Sequence, residues 1–148
     1  MDPIEPRIRP LVDALNETHL IETFSSCQGH FGEPQSPDDF TDRTKAHVRA
    51  CFLPVVPEGD VEDLILRILS DYMDDSTKWE AHLTISKQYI ADPRENGVSQ
   101  ALDAILVIEL WPFNPNTSDL EKRRAVDRLI EETTVSVRAY VKSRANTR

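Results

Sequence analysis

The sequence predicts an α+β fold: an α-β-β unit, a second α-β-β unit, and a long final helix. Three observations predict it. Ile8, Leu11, Val12 and Leu15 recur at i, i+3, i+4 and i+7, the spacing of one buried helical face. The stretch KWEAHLTIS alternates apolar and polar residues, the period of a half-buried strand. After Ser118, Leu120, Val126, Leu129, Ile130, Val137 and Val141 return to helical spacing. Two such units with antiparallel strands build one mainly antiparallel sheet, covered on one face by helices.

Each element follows in order. In the first helix Pro10 falls in the opening turn, where a missing N–H costs little. Thr18 to Leu20 form its exit, and His19 there reads as a partner of the helix dipole. IETFSSC is a short strand in which Thr23, Ser25 and Cys27 alternate with Glu22, Phe24 and Ser26. Residues 28–45 are rich in Gly, Pro, Asp and Ser and form a long loop, a length that points to function or mobility. AHVRACFLPVV is a second strand, ended by Pro54 and Pro57. Asp60 is expected to cap a helix that buries Val61, Leu64, Ile65, Ile68, Leu69 and Tyr72. In KWEAHLTIS, Trp79, Ala81, Leu83 and Ile85 face one way, and Lys78, Glu80, His82, Thr84 and Ser86 the other. Trp79 and Trp111 read as core or sheet-end packing, and His82 as a solvated or cross-strand residue. Asp92 to Ser99 form a turn. ALDAILVIELWPF is apolar on both faces, as a central strand is. Ser118 and Glu121 make a capping box for the last helix, and residues 143–148 are expected to fray.

The 148 residues, 39% hydrophobic, suffice for one domain with its own core. No apolar run approaches the roughly 20 residues a membrane helix needs. The longest, Ala104 to Leu110, is broken by Glu109. MDPIEPRIRP is neither apolar nor basic enough for a signal peptide, so a cytoplasmic location is expected. Two cysteines make no disulfide framework, and reduced thiols fit that compartment. The net charge of −9 is uneven: from Thr117 onward eight Lys/Arg oppose five Asp/Glu (+3), and the rest opposes nine to 21 (−12). This is either a solvated acidic surface or one that meets a basic partner. Direct nucleic-acid binding is disfavoured, because phosphate contacts require clustered Lys/Arg. Arg124 and Arg128, then Arg138 and Lys142, share faces pairwise without forming one stripe.

The stretch FSSCQGHFG, Phe24 to Gly32, concentrates chemistry. Cys27 with His30 permits a nucleophile and base, though no family-specific nucleophile signature accompanies them. Cys27 and His30 (C-x2-H), with His47 and Cys51 (H-x3-C), supply four zinc ligands on paper. Residues four apart on a strand lie about 13 Å apart, so His47 and Cys51 share an ion only if that segment is helical or sharply bent, and zinc is not the expected reading. A third reading is a ligand-binding turn. Ser25, Ser26, Gln28 and the N–H groups around Gly29 form a concave donor set, Gly29 and Gly32 supply positive φ, and His30 adds a titratable donor. Such a turn suits a carboxylate, a phosphate or the polar end of a nucleoside. The same residues also suit a tight turn whose serines bond their own backbone.

TFSSCQGH resembles the T-x-S-S-C-S-G-R stretch of the methyltransferases of wybutosine synthesis, which modify a tricyclic guanosine in transfer RNA. Thr23, Ser25, Ser26, Cys27 and Gly29 match; His30 stands where that family has arginine. AHVRAC then resembles the family's His-Val strand, with His47, Val48 and, one residue late, Cys51. The resemblance implies related architecture over roughly Ile21 to Leu110. If the chain is an enzyme, it implies S-adenosylmethionine-dependent methyl transfer, in which the protein binds and orients the reactants. The candidate ligand-binding set is therefore Ser25, Ser26, Cys27, Gln28, Gly29 and His30, with His47 from the next strand.

A rival reading is a non-enzymatic inhibitor or adaptor whose acidic clusters, such as Asp38–Asp39 and Asp74–Asp75, occupy a basic groove on a protein partner. Finally, Ile105, Val107 and Trp111 lie on the strand face opposite the helices and need cover. Either the basic final helix packs on its own sheet, or two chains form a homodimer in which that helix meets the partner's acidic body.

Overall fold

The computed structural model describes residues 4–34, 37, 43–89 and 104–146. The elements are α1 (Arg9–Glu17), β1 (Ile21–Cys27), β2 (Ala46–Phe52), α2 (Glu58–Asp74), a 3-10 turn (Ser76–Trp79), β3 (Ala81–Tyr89), β4 (Ala104–Pro112) and α3 (Asp119–Asn146). The turn read at Asp92–Ser99 and the Asp38–Asp39 pair lie outside the described residues.

Among the described residues all strand pairings are antiparallel, in the order β1-β2-β4-β3. The α+β architecture read from the sequence is the one found. Each hairpin gives its second strand to the centre, and β4, apolar on both faces, has a neighbour on each side. Val48, Ala50, Leu83, Leu106, Ile108 and Leu110 join Leu11, Leu15, Leu64, Ile68, Leu129 and Val137 in one core. The three helices among the described residues therefore cover the same sheet face. Fully burying a leucine or isoleucine contributes about 1.5–3 kcal/mol, so these positions carry the fold.

Several expectations are corrected. Asp60 does not cap α2: Pro57 holds that position, and the Asp60 N–H bonds the Pro57 carbonyl. The Asp60 carboxylate instead receives Arg144 at 3.2 Å, inside the stretch read as frayed; α3 runs on to Asn146, and residues 147–148 lie outside the described residues. Trp79 is not core packing. The chain turns through Ser76–Trp79 before β3 begins, which leaves Trp79 74% exposed. Leu120 is also exposed, because it lies in the first turn of α3, before the helix reaches the core. The Ser118 cap is confirmed: the Glu121 N–H bonds its hydroxyl at 3.2 Å. Thr23 and Ser25 do not share a face, because a bulge at Phe24 shifts the register between them.

The final helix packs on its own chain. Arg128 pairs with Glu80 and Arg144 with Asp60, so basic residues of α3 meet this chain's acidic body. It does not cover Ile105 and Val107, which point away from it. These are nonetheless 6% and 3% exposed within one chain, flanked by Cys51 and Gln88 and by Arg49 and Ser86 on the neighbouring strands. No helix among the described residues is long and apolar enough to cross a membrane.

Candidate functional site

The stretch singled out in the sequence sits where β1 ends and β2 begins. Strand geometry persists through Cys27, so Ser25 and Ser26 point to opposite sides. Ser25 pairs with Arg49 on the open face, and its hydroxyl lies 3.4 Å from His47 Nε2. Ser26 pairs with Val48 and faces the helices. The two serines do not form a common donor set. His47 is half-buried, and this desolvation, with the Arg49 guanidinium near it, pushes its imidazole below the ordinary histidine range.

The turn itself is used internally. The Gln28 N–H bonds Glu5 Oε1 at 3.0 Å, the Gly29 N–H points at Cys27 Sγ at 3.5 Å, and the His30 N–H bonds the Arg43 carbonyl at 3.2 Å. Arg123, on α3, donates to the carbonyls of Gly29 at 2.7 Å and Gln28 at 2.6 Å. Its guanidinium also lies over the Phe31 ring, 5.0 Å from the centroid, and pairs with Asp127, which Arg7 reaches as well. The N–H groups offered to a ligand in the sequence reading thus already have acceptors. Gly29 and Gly32 do hold positive φ, +83° and +75°, as read.

The four-residue zinc set does not assemble. Cys27 is in register with His47, whereas Cys51 is in register with Glu22, four residues further along β2. Cys51 is exposed, Cys27 is buried, and neither forms a disulfide. Cys27 and His30 do come together, and the third group beside them is Glu5. His30 Nε2 lies 3.0 Å from Glu5 Oε2, and His30 Nδ1 2.7 Å from Glu33 Oε2. No feature of the sequence announces Glu5, which the entry segment before α1 carries across to the turn.

Beyond His30 opens a cleft of about 660 Å³ at the end of the sheet where β1 and β4 finish and β2 and β3 begin. Its walls include His30 and Glu33 from the turn, Arg43 from the loop, His82 from β3, and Asp119 and Lys122 from α3. Trp111 and Phe113 at the end of β4 supply aromatic surface. His82 stacks on Phe113 with centroids 4.5 Å apart and meets Trp111 edge-on at 6.0 Å. Lys45 lies over the Trp111 ring and pairs with Glu109. The Trp111 indole N–H is shielded from solvent and has no hydrogen-bond acceptor among the described residues. The sequence alone makes His82 a bystander and Trp111 packing. What joins both to a site is the register that sets them side by side, and it emerges only once the strands pair.

The acidic pair Asp74–Asp75 is partly structural. Asp75 caps the 3-10 turn by accepting the Thr77 N–H at 2.8 Å, and it shares a hydrogen bond with Glu132 on α3. No family model, curated protein or solved structure matches the chain.

Proposed function

We propose that the protein binds a small, planar, polar molecule of nucleoside size in the cleft at the sheet end. One observation carries this reading: Trp111, His82 and Phe113 stand together on the wall of a cleft that also bears both signs of charge. Binding sites of this kind combine aromatic surface with a few convergent polar groups, at volumes of roughly 300–1,000 Å³. The rings suit a flat heterocycle. Arg43 and Lys122 suit an anionic substituent, and Glu33 and Asp119 a cationic one. The ligand expected at the turn therefore moves outward, to the far side of His30.

S-adenosylmethionine, with a flat base and a charged tail, belongs to this class and is the first probe. On this reading the chain binds and orients, and any methyl transfer is chemistry the cofactor brings. Trp79→Phe leaves Trp111 as the single tryptophan reporter. That variant is titrated with S-adenosylmethionine, its demethylated product and adenosine, by emission and by calorimetry. Saturable quenching is expected, weakened about tenfold or more by Phe113→Ala, since a stacked base contributes about 1–3 kcal/mol. Unchanged emission and no heat at millimolar ligand would sink the reading.

A further inference from the structure

We propose that Glu5, Cys27 and His30 form a binding site for a divalent transition metal of the zinc class. This stands apart from the cleft's ligand, although His30 borders both. The potential ligand atoms of the three residues all lie within 4.8 Å of one another. They come from the entry segment, the end of β1 and the turn that follows it. Tetrahedral zinc, with bonds of about 2.0–2.3 Å, holds its ligands roughly 3.3–3.8 Å apart. The set needs to contract by at most about 1.5 Å.

What distinguishes the cluster from three polar neighbours is the support behind each ligand. Glu5 uses Oε1 to accept the Gln28 N–H, and this turns Oε2 toward His30. Cys27 Sγ accepts the Gly29 N–H at 3.5 Å, a contact that fixes where the sulfur points. His30 presents Nε2 to the cluster while Nδ1 meets the Glu33 carboxylate at 2.7 Å. That is the carboxylate–histidine arrangement which holds a metal-ligating imidazole in the correct tautomer and orientation. The peptide units that support Glu5 and Cys27 belong to the turn whose carbonyls Arg123 clamps, so the positions are set by the fold as well.

The donor types select the ion. A thiolate sulfur with an imidazole nitrogen suits zinc, cobalt or nickel rather than calcium or magnesium, which take oxygen ligands. Three protein ligands leave a fourth position for water or another group. The proton balance is simple: binding releases the Cys27 thiol proton, where present, and any proton held between His30 Nε2 and Glu5 Oε2.

Cobalt(II) added to the purified, chelator-treated full chain tests the site. One equivalent should bind, with thiolate-to-cobalt charge-transfer absorption in the near ultraviolet and the strong visible bands of a tetrahedral ion. Zinc should displace it. Cys27→Ser should abolish the charge-transfer absorption, and Cys51→Ser should leave it intact. Glu33→Gln changes a carboxylate with half its surface in solvent, so the fold is expected to survive. It should weaken binding about 10–100-fold through His30. Far-ultraviolet circular dichroism of each variant separates lost binding from lost folding. Absence of the charge-transfer band at millimolar cobalt overturns the proposal. So does a band that survives Cys27→Ser or depends on Cys51, or an affinity that Glu33→Gln leaves unchanged. A failed nucleoside titration affects none of these readouts.

Discussion

The Arg123 guanidinium donates to the carbonyl of Gly29, 94 residues earlier in the chain, at 2.7 Å. With the neighbouring bond to Gln28 it ties α3 to the end of β1 through a fork that lysine cannot reproduce. The side chain is 15% exposed, so truncation strands two carbonyls in a place water reaches poorly. Arg123→Ala is expected to cost about 2–3 kcal/mol in urea unfolding, and Arg123→Lys to recover less than half of it. A loss below about 0.5 kcal/mol would mean that the clamp does not hold the turn.

Glycine substitutions should have opposite signs at two positions. At Gly29, φ is +83° and an added Cβ would sit 2.9 Å from the Phe31 ring. Gly29→Ala should lower stability by about 1–3 kcal/mol. Gly59, in the first turn of α2, has nothing within 4 Å of the place an alanine methyl would occupy, and Gly59→Ala should raise stability by up to about 1 kcal/mol. Paired thermal melts check both.

His19 leaves α1 with φ at +57°, as the only non-glycine residue with positive φ among the described residues. Its side chain is exposed and its N–H bonds the Asn16 carbonyl, so it acts as a C-terminal cap in the left-handed region. The conformation, more than the helix dipole, defines the position. His19→Gly relieves strain of about 1–2 kcal/mol and returns part of it as unfolded-state entropy. A net gain of about 0.5–1 kcal/mol is expected in urea unfolding, and a loss would contradict it.

Asp75 and Glu132 give the fold a pH signature. Hydrogen bonding to Asp75 raises the Glu132 carboxyl above its ordinary range, whereas the Thr77 backbone N–H lowers Asp75. A raised folded pKa contributes stability at low pH that is lost as pH rises through it. A lowered one contributes stability at higher pH that is lost as pH falls through it. Glu132→Gln keeps a donor to Asp75 without a titrating proton. Melting temperatures from about pH 4 to 8 should therefore show the variant gaining on the parent chain as pH rises through the Glu132 titration. A constant difference across the range would remove the pair from the pH profile.

Periodicity makes α1 and α3 legible, because Leu11 and Leu15, and Leu129 and Val137, bury a face at helical spacing, whereas β4 is legible from an apolar run on both faces. The bulge at Phe24 is not legible, since nothing in IETFSSC marks which residue leaves the ladder. Trp79 misleads for a related reason: Lys78, Trp79 and Glu80 carry the alternation of β3 backward into the end of the 3-10 turn. The better signal is Asp75, whose carboxylate bonds the N–H two residues on. In the candidate sites, local chemistry is readable and convergence is not. Cys27 and His30 meet because they share a turn. Glu5 reaches them from 22 residues upstream of Cys27, and His82, Trp111 and Lys122 reach the cleft from separate segments.

The strand order bears on how the molecule avoids aggregation. Its most apolar strand, β4, lies inside the sheet, and the two boundaries fall to β1 and β3. The ladder along β1 is interrupted at Phe24, and Lys87, Gln88 and Tyr89 are exposed toward the end of β3. A kinked strand and a lysine-bearing strand make poor templates for a further strand from another chain. Growth of the sheet sideways, the geometry of fibrils, is thereby discouraged at both margins.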